Sequence, residues 1–332
     1  MKLKLKNRLF LYNIMIIVCS SLFVIFIFTY INQNSKEILY NINENRKRYI
    51  MLENMKNMLE KAKKEKYAVP HLNINNLEWA KYILEECQEL NSPVILGVSE
   101  GAAKYMGGYN VISGMVNGLL KDLNITIPVA LHLDHGSSFE TCKKAIDAGF
   151  SSVMIDGSKL NLEDNIKVTK EVIAYAESKK VSVEAEIGCI GGSEDGVSNE
   201  ILHAKTEDCV KIVNETNLCT LAPALGSVHG IYKGEPNLNF ERMKEISEKT
   251  NLPLVLHGGT GIPDDKIKMA ISCGISKINV NTELQLAWHG ALKKFVLNND
   301  AYDPRKVIGS GESAIKEAIK AKVILFGSNN KA

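Results

Sequence analysis

PLVLHGGTGIPDDKIKMAISCGISKINVNT, residues 253–282, is the stretch that decides the fold. It opens on a short apolar run, Pro253–Leu256, that breaks at His257-Gly258-Gly259-Thr260-Gly261. An amphipathic stretch, Asp264–Cys273, follows, and then a second apolar run, Lys277–Val280. Short runs with little polar interruption read as strands covered on both faces. A helix between two such strands is the crossover that parallel pairing requires.

The same alternation extends outward from this unit. Further strands are read at Tyr67–Leu72, Pro93–Val98, Pro128–Leu133, Ser152–Ile155, Ser182–Ile187 and Leu218–Ala222. Helices are read at Leu77–Leu90, Phe139–Ala148, Leu162–Ser178, Glu207–Glu215, Phe240–Lys249 and Glu283–Leu297. Eight strand–helix units predict a closed parallel (β/α)8 barrel, a TIM barrel, over residues 51–332. A doubly wound open sheet would want G-x-G-x-x-G after an early strand, and the sequence has none.

In such a barrel the chemistry lies at the C-terminal strand ends. The third strand ends in Leu133-Asp134-His135-Gly136, the sixth leads to Ser227-Val228-His229-Gly230, and the seventh ends at His257-Gly258. Three imidazoles at three strand ends, His135, His229 and His257, suit a catalytic zinc with an open fourth position. His71, His203 and His289 are read as ordinary polar residues, and His132, sharing a strand face with Asp134, as a partner of the site. Glycine turns after strands seven and eight sit where barrels bind phosphate. Gly258, Gly259, Thr260, Asn279, Asn281 and Thr282 are the expected donors, with Lys233 as an added charge or a solvated loop residue. Asp134 is read as a general acid or base, or as a group orienting a ligand imidazole. Glu194 lies in a loop with four glycines, Gly188–Gly196, which suits a mobile lid carrying a proton-transfer group or a plain flexible loop. Lys277 begins the eighth strand, so no strand ends in a lysine that could form a Schiff base.

Together these strings resemble the class II, zinc-dependent fructose-bisphosphate aldolases, from about Lys56 to Ala332. The strings that carry the resemblance are Asn73-Ile74-Asn75-Asn76-Leu77-Glu78, Val98-Ser99-Glu100-Gly101-Ala102, His132-Leu133-Asp134-His135-Gly136, the run from Ala222 to Gly230, the turn at His257, and Tyr302-Asp303-Pro304-Arg305. The resemblance implies that His135, His229 and His257 hold zinc. It implies that Asp134 gives a proton to the aldehyde-derived oxygen and that Glu194 moves the proton beside the ketone. Asp156 and Glu186 match positions for a second or displaced metal, so a second divalent or monovalent cation is expected. Gly230, Gly258, Gly259, Thr260, Asn279, Val280, Asn281 and Thr282 match the dihydroxyacetone phosphate end, and Ser99 the other phosphorylated half. Arg305 matches a residue that reaches a neighbouring subunit's site, which implies a homodimer or homotetramer. The implied substrate is a phosphorylated ketose, fructose 1,6-bisphosphate or, as the alternative, tagatose 1,6-bisphosphate. The chain departs from the family at Val69-Pro70-His71-Leu72, where glycine, glutamine and an aromatic are usual, and at Leu284, where a polar residue is common. A metal hydrolase on the same barrel would show an H-x-H pair at the first strand, which has only His71.

Composition sets the remaining limits. A net charge of +2 gives no signal for nucleic acid. The seven cysteines have no C-x-x-C spacing, so no disulfide framework is expected, and a reducing, cytoplasmic setting is. The N-terminus departs from this profile. Residues 9–31 are almost wholly apolar and uncharged, long enough as a helix to span a bilayer core of about 30 Å. Lys2, Lys4, Lys6 and Arg8 precede them, and a polar linker, residues 32–50, follows. The literal reading is a membrane anchor, a hydrophobic helix outside the barrel. The rival reading, preferred here, is translation from Met51, Met55 or Met58, because the resemblance begins just after Met51 and the barrel needs nothing upstream.

Overall fold

Alternation of side chains across each strand organises the molecule. The computed structural model describes residues 52–194, 197–232 and 234–332, with residues 193, 194 and 197–199 as backbone only. The strands are β1 (Val69–Asn73), β2 (Val94–Val98), β3 (Val129–Gly136), β4 (Ser152–Ile155), β5 (Ser182–Ile187), β6 (Gly191–Glu194), β7 (Val197–Asn199), β8 (Thr220–Pro223), β9 (Val228–His229), β10 (Leu254–Leu256) and β11 (Ile275–Val280). Eight of them close a parallel barrel in the order β1-β2-β3-β4-β5-β8-β10-β11 and back to β1. The expected (β/α)8 barrel is therefore present, and the strands at 152–155 and 182–187 fall where the sequence reading puts them.

Outward-facing strand residues such as Leu96, Val98, Leu131, Leu133, Ile278 and Val280 join one apolar core with the surrounding helices. Burying each such side chain contributes about 1.5–3 kcal/mol. The helices start where short polar side chains accept otherwise unpaired amides: Asn76 from Trp79, Ser138 from Thr141 and Asn161 from Asp164. Inward-facing residues alternate with the apolar ones and are polar on several strands: His71 and Asn73, His132 and Asp134, Glu184 and Glu186, Lys277 and Asn279, all buried.

The structure differs from the sequence reading at four places. Helix α1 (Met55–Glu65), absent from the sequence reading, covers the N-terminal end of the barrel. Its Met55, Met58, Leu59 and Ala62 pack on Tyr67, Val69, Ile95 and Ala130. Strand β3 runs on to Gly136, and its register with β4 shifts between Leu133 and Gly136. The glycine-rich segment expected as a loop forms the antiparallel pair β6–β7, and β9 adds parallel to β6 with Gly192 opposite His229. Lys277 lies inside β11 rather than at its start.

Six cysteines are free among the described residues. No helix among the described residues is long and apolar enough to cross a membrane. The apolar segment 9–31 lies outside the described residues, as does Lys233.

Candidate active site

His135, His229 and His257 come together at the C-terminal mouth of the barrel. Their ring centroids lie 4.7–5.7 Å apart, and one nitrogen from each lies within 4.8 Å of the others. His135 Nε2 and His257 Nδ1 stand 3.0 Å apart. Two ligands on a tetrahedral zinc, each at about 2.0–2.1 Å, would be separated by about 3.3 Å, so the donor set and its spacing fit such an ion.

Each histidine reaches this point by a different device. His257 follows β10 directly. His135 takes φ +51 at the register shift in β3. Strict alternation would place it on the face opposite Asp134; the shift and the left-handed backbone place both at the site. Non-glycine residues seldom adopt this conformation, and they cluster at functional sites. His229 rides on β9, which is pinned between two glycines. A Cβ on Gly192 (φ +93) would strike the His229 backbone, and one on Gly258 (φ +64) would strike the Val228 carbonyl.

Carboxylates face the outer nitrogens of two of these rings. His135 Nδ1 lies 2.9 Å from Asp156 Oδ2, and His257 Nε2 lies 3.0 Å from Glu184 Oε1. Burial, with the charges of His135 and Lys277 nearby, keeps the His257 imidazole neutral, well below its ordinary titration range. Burial, with His135 and His257, does the same for His229. Glu186 lies below His135, 3.9 Å from its Nδ1, and accepts the Ile190 N–H at 3.1 Å. Burial and the charge of Asp156 push its carboxyl up to about 8.

Asp134 is buried at the centre. It accepts from Asn73 at 2.9 Å and from Asn279 at 3.4 Å. Burial opposes its ionisation, but His71, His135, His257 and Lys277 together hold the carboxyl well below its usual range. It is therefore held as the ionised carboxylate.

Beside His229 opens a cleft of about 130 Å³, lined by Asn73, Asn75, Ser99, Gly230, Gly258, Thr260, Asn279, Asn281, Thr282 and Gln285. The helix Thr282–Leu297 begins at this cleft, and a helix N-terminus favours an anion. Two residues expected at the phosphate end have other surroundings. The Gly259 N–H is committed to the Asn279 carbonyl at 2.9 Å, and Val280 is fully buried among the apolar residues outside the barrel. Arg305 is exposed and pairs with Asp303 at 2.7 Å, and it is not among the residues lining the cleft. The Glu194 side chain is not among the described ones. Leu284 is fully buried in the core.

Sequence reasoning missed Asn73, Asn75 and Gln285 as lining residues, and missed the interior pair Glu184–Lys277. The alternation Glu184-Ala185-Glu186 on one strand and Lys277-Ile278-Asn279 on another would have revealed the pair, since i and i+2 share a face.

Fold and site define a (β/α)8-barrel enzyme with a three-histidine candidate metal centre beside an anion-sized cleft. The profile described as fructose-bisphosphate aldolase class-II matches residues 53–331. A fructose-bisphosphate aldolase of Geobacillus stearothermophilus is 56% identical over 283 residues, covering 85% of this chain and 99% of that protein. One from Staphylococcus aureus (strain Mu50) is 58% identical over 284 residues, with the same coverage. The crystal structure of the YdjI aldolase from Escherichia coli K12 superimposes with a TM-score of 0.75 at 34% identity, covering 85% of this chain and all of that one. The chain belongs to the class II fructose-bisphosphate aldolase family.

Proposed function

We propose that this protein cleaves fructose 1,6-bisphosphate reversibly to dihydroxyacetone phosphate and glyceraldehyde 3-phosphate, with a zinc ion held by His135, His229 and His257. The observation that carries this reading is the convergence of three imidazole nitrogens within 4.8 Å beside the cleft of Ser99, Gly230, Gly258, Thr260, Asn279, Asn281 and Thr282. Bound there, the ion polarises the substrate carbonyl and stabilises the negative charge that develops beside it. The cleft holds the ketone-side phosphate and fixes the reacting carbons against the histidines. Asp134 takes the proton of the hydroxyl on the aldehyde side as the carbon–carbon bond breaks, and returns it in the condensation direction. Its low carboxyl range supports the ionised form that cleavage needs. Glu194, on β6 beside the Gly192–His229 pairing, exchanges the proton on the carbon next to the ketone.

Lys277 has no part as a Schiff-base nucleophile in this reading, because its amine is held by both oxygens of Glu184. Asp156 and Glu186, which with His135 form a second cluster of donors, take a second or displaced cation. Arg305, exposed on its own subunit, completes the site of a neighbouring copy in a homodimer or homotetramer. The aldolase unit is the compact unit Met51–Ala332, supported by the family match over residues 53–331.

The deciding experiment is a coupled cleavage assay with fructose and tagatose bisphosphates, with and without chelator. Turnover of fructose bisphosphate that chelator abolishes and zinc restores is expected. Preference for tagatose bisphosphate would reassign the sugar, and full activity without metal would overturn the mechanism.

A further inference from the structure

Deeper in the barrel than the three histidines, Glu184 and Lys277 form a fully buried ion pair. Lys277 Nζ lies 3.1 and 2.9 Å from the two carboxylate oxygens. Glu184 Oε1 is also 3.0 Å from His257 Nε2, and Glu184 Oε2 lies 3.9 Å from His132 Nε2. A buried ion pair is a poor source of stability, since removing both charges from water costs about as much as their attraction returns. Its geometry, however, bears on a histidine with a specified orientation.

We propose that Glu184 and Lys277 are a positioning pair for His257. The carboxylate accepts the Nε2 proton and so fixes the tautomer whose Nδ1 lone pair faces His135 Nε2, 3.0 Å away. The ammonium pins the carboxylate from the other side, so that it neither turns away nor stands as an unpaired buried charge. Asp156 faces His135 in the same way, but its side chain is 22% exposed, and among the described residues no lysine or arginine pairs with it. Glu184, with no exposure, has its cation built into the strand opposite. The opposite tautomer of His257 would point an N–H into the centre and exclude a cation. Hydrogen-bond partners of this kind behind a ligand imidazole alter metal affinity by about 10–100-fold. The inference rests on the three histidines being metal ligands.

The test uses the purified chain stripped of metal and titrated with cobalt(II) in competition with a chelator. Visible absorption, thermal unfolding and sugar kinetics are followed in parallel. In Glu184→Gln the amide oxygen turns to Lys277 and the NH2 group to His257, which reverses the tautomer. Cobalt affinity should fall about 10–100-fold with an altered visible spectrum, and kcat should fall more than KM changes. In the double variant Glu184→Gln/Lys277→Met the amide oxygen is free to accept from His257 again. Cobalt should then bind more tightly than in the single variant, a recovery that a purely structural role does not produce. A folded Glu184→Gln with wild-type cobalt affinity and spectrum overturns the proposal, as does a double variant no tighter than the single. If Glu184→Gln does not fold, the double variant decides alone: affinity within about tenfold of wild type is expected, and anything weaker overturns it. A wild-type chain that takes up no cobalt overturns the metal reading beneath the pair, which is a separate and recognisable result.

Discussion

The two ends of the barrel interior are built from opposite chemistry. At the N-terminal end, Met55, Met58 and Leu59 of α1 close on Tyr67, Val69, Ile95 and Ala130, an apolar plug. Toward the C-terminal end the barrel strands carry His71, Asn73, His132, Asp134, Glu184, Glu186, Lys277 and Asn279, all buried. The plug gains free energy from area removed from water. The polar column gains little, because every charged group there must be compensated by a neighbour. The difference teaches that stability and chemistry are separated along one axis of the fold, and that substitutions at the two ends should fail in different assays.

The largest effect expected is at the histidines. His257→Ala should lower kcat/KM by at least about 10³-fold and lose bound zinc, while circular dichroism stays that of a folded barrel. Loss of the fold with loss of zinc would break the comparison, since it would make the polar end structural. Next come the two carboxylates proposed to move protons. Asp134→Asn should lower kcat by about 10²–10⁴-fold with zinc retained, and should spare exchange of the ketone-side proton of dihydroxyacetone phosphate. Glu194→Gln should slow that exchange, which tritium release measures; equal loss of exchange in both variants would leave the two carboxylates indistinct.

At the other end, Leu59→Ala should cost about 2–5 kcal/mol and lower Tm by roughly 5–15 °C, with kcat/KM at 25 °C within about twofold of wild type. Activity falling in step with Tm would deny the separation. The smallest effect sharpens it. In the metal-free chain Glu186 is raised to about 8, against about 4.3 in an unfolded chain. The folded state therefore holds a proton that the unfolded state gives up, and the stability this contributes is full below about pH 4.3 and lost as pH rises through 8. Glu186→Gln removes that dependence. Between pH 6 and 9, with chelator present, the Tm of the variant should gain on the wild type by several degrees, and parallel Tm curves would refute the shift.

The barrel was legible because its outer strand faces are apolar and its turns carry glycine. The stretch 253–282 alone shows strand, turn, helix and strand. The histidines were legible because each follows an apolar run. Helix α1 was also within reach: Met55, Met58, Leu59 and Ala62 follow the i, i+3, i+4, i+7 spacing of one helical face, and Asn54 caps it. Other features depend on contacts far apart in sequence. The left-handed turn at His135 comes from a register shift with β4, and local sequence does not record pairing. The pairing of β6 with β9 joins two glycine-flanked segments that look like loops when read separately. The commitment of the Gly259 N–H to Asn279 is a cross-strand hydrogen bond, and a glycine-rich turn carries no sign of it.

The pinning of β9 has a consequence for the order in which the protein matures. His229 gains its place only when the β6–β7 hairpin has docked on one side and the turn at Gly258 on the other. Those segments belong to different strand–helix units, and closing the loops between distant segments is the slow part of assembling such a topology. His135 and His257 can meet before that moment as a pair of imidazoles. All three imidazoles stand together only with the completed barrel mouth. Metal capture during refolding should therefore lag behind the gain of helical signal, and its rate should report the last docking event rather than the first collapse.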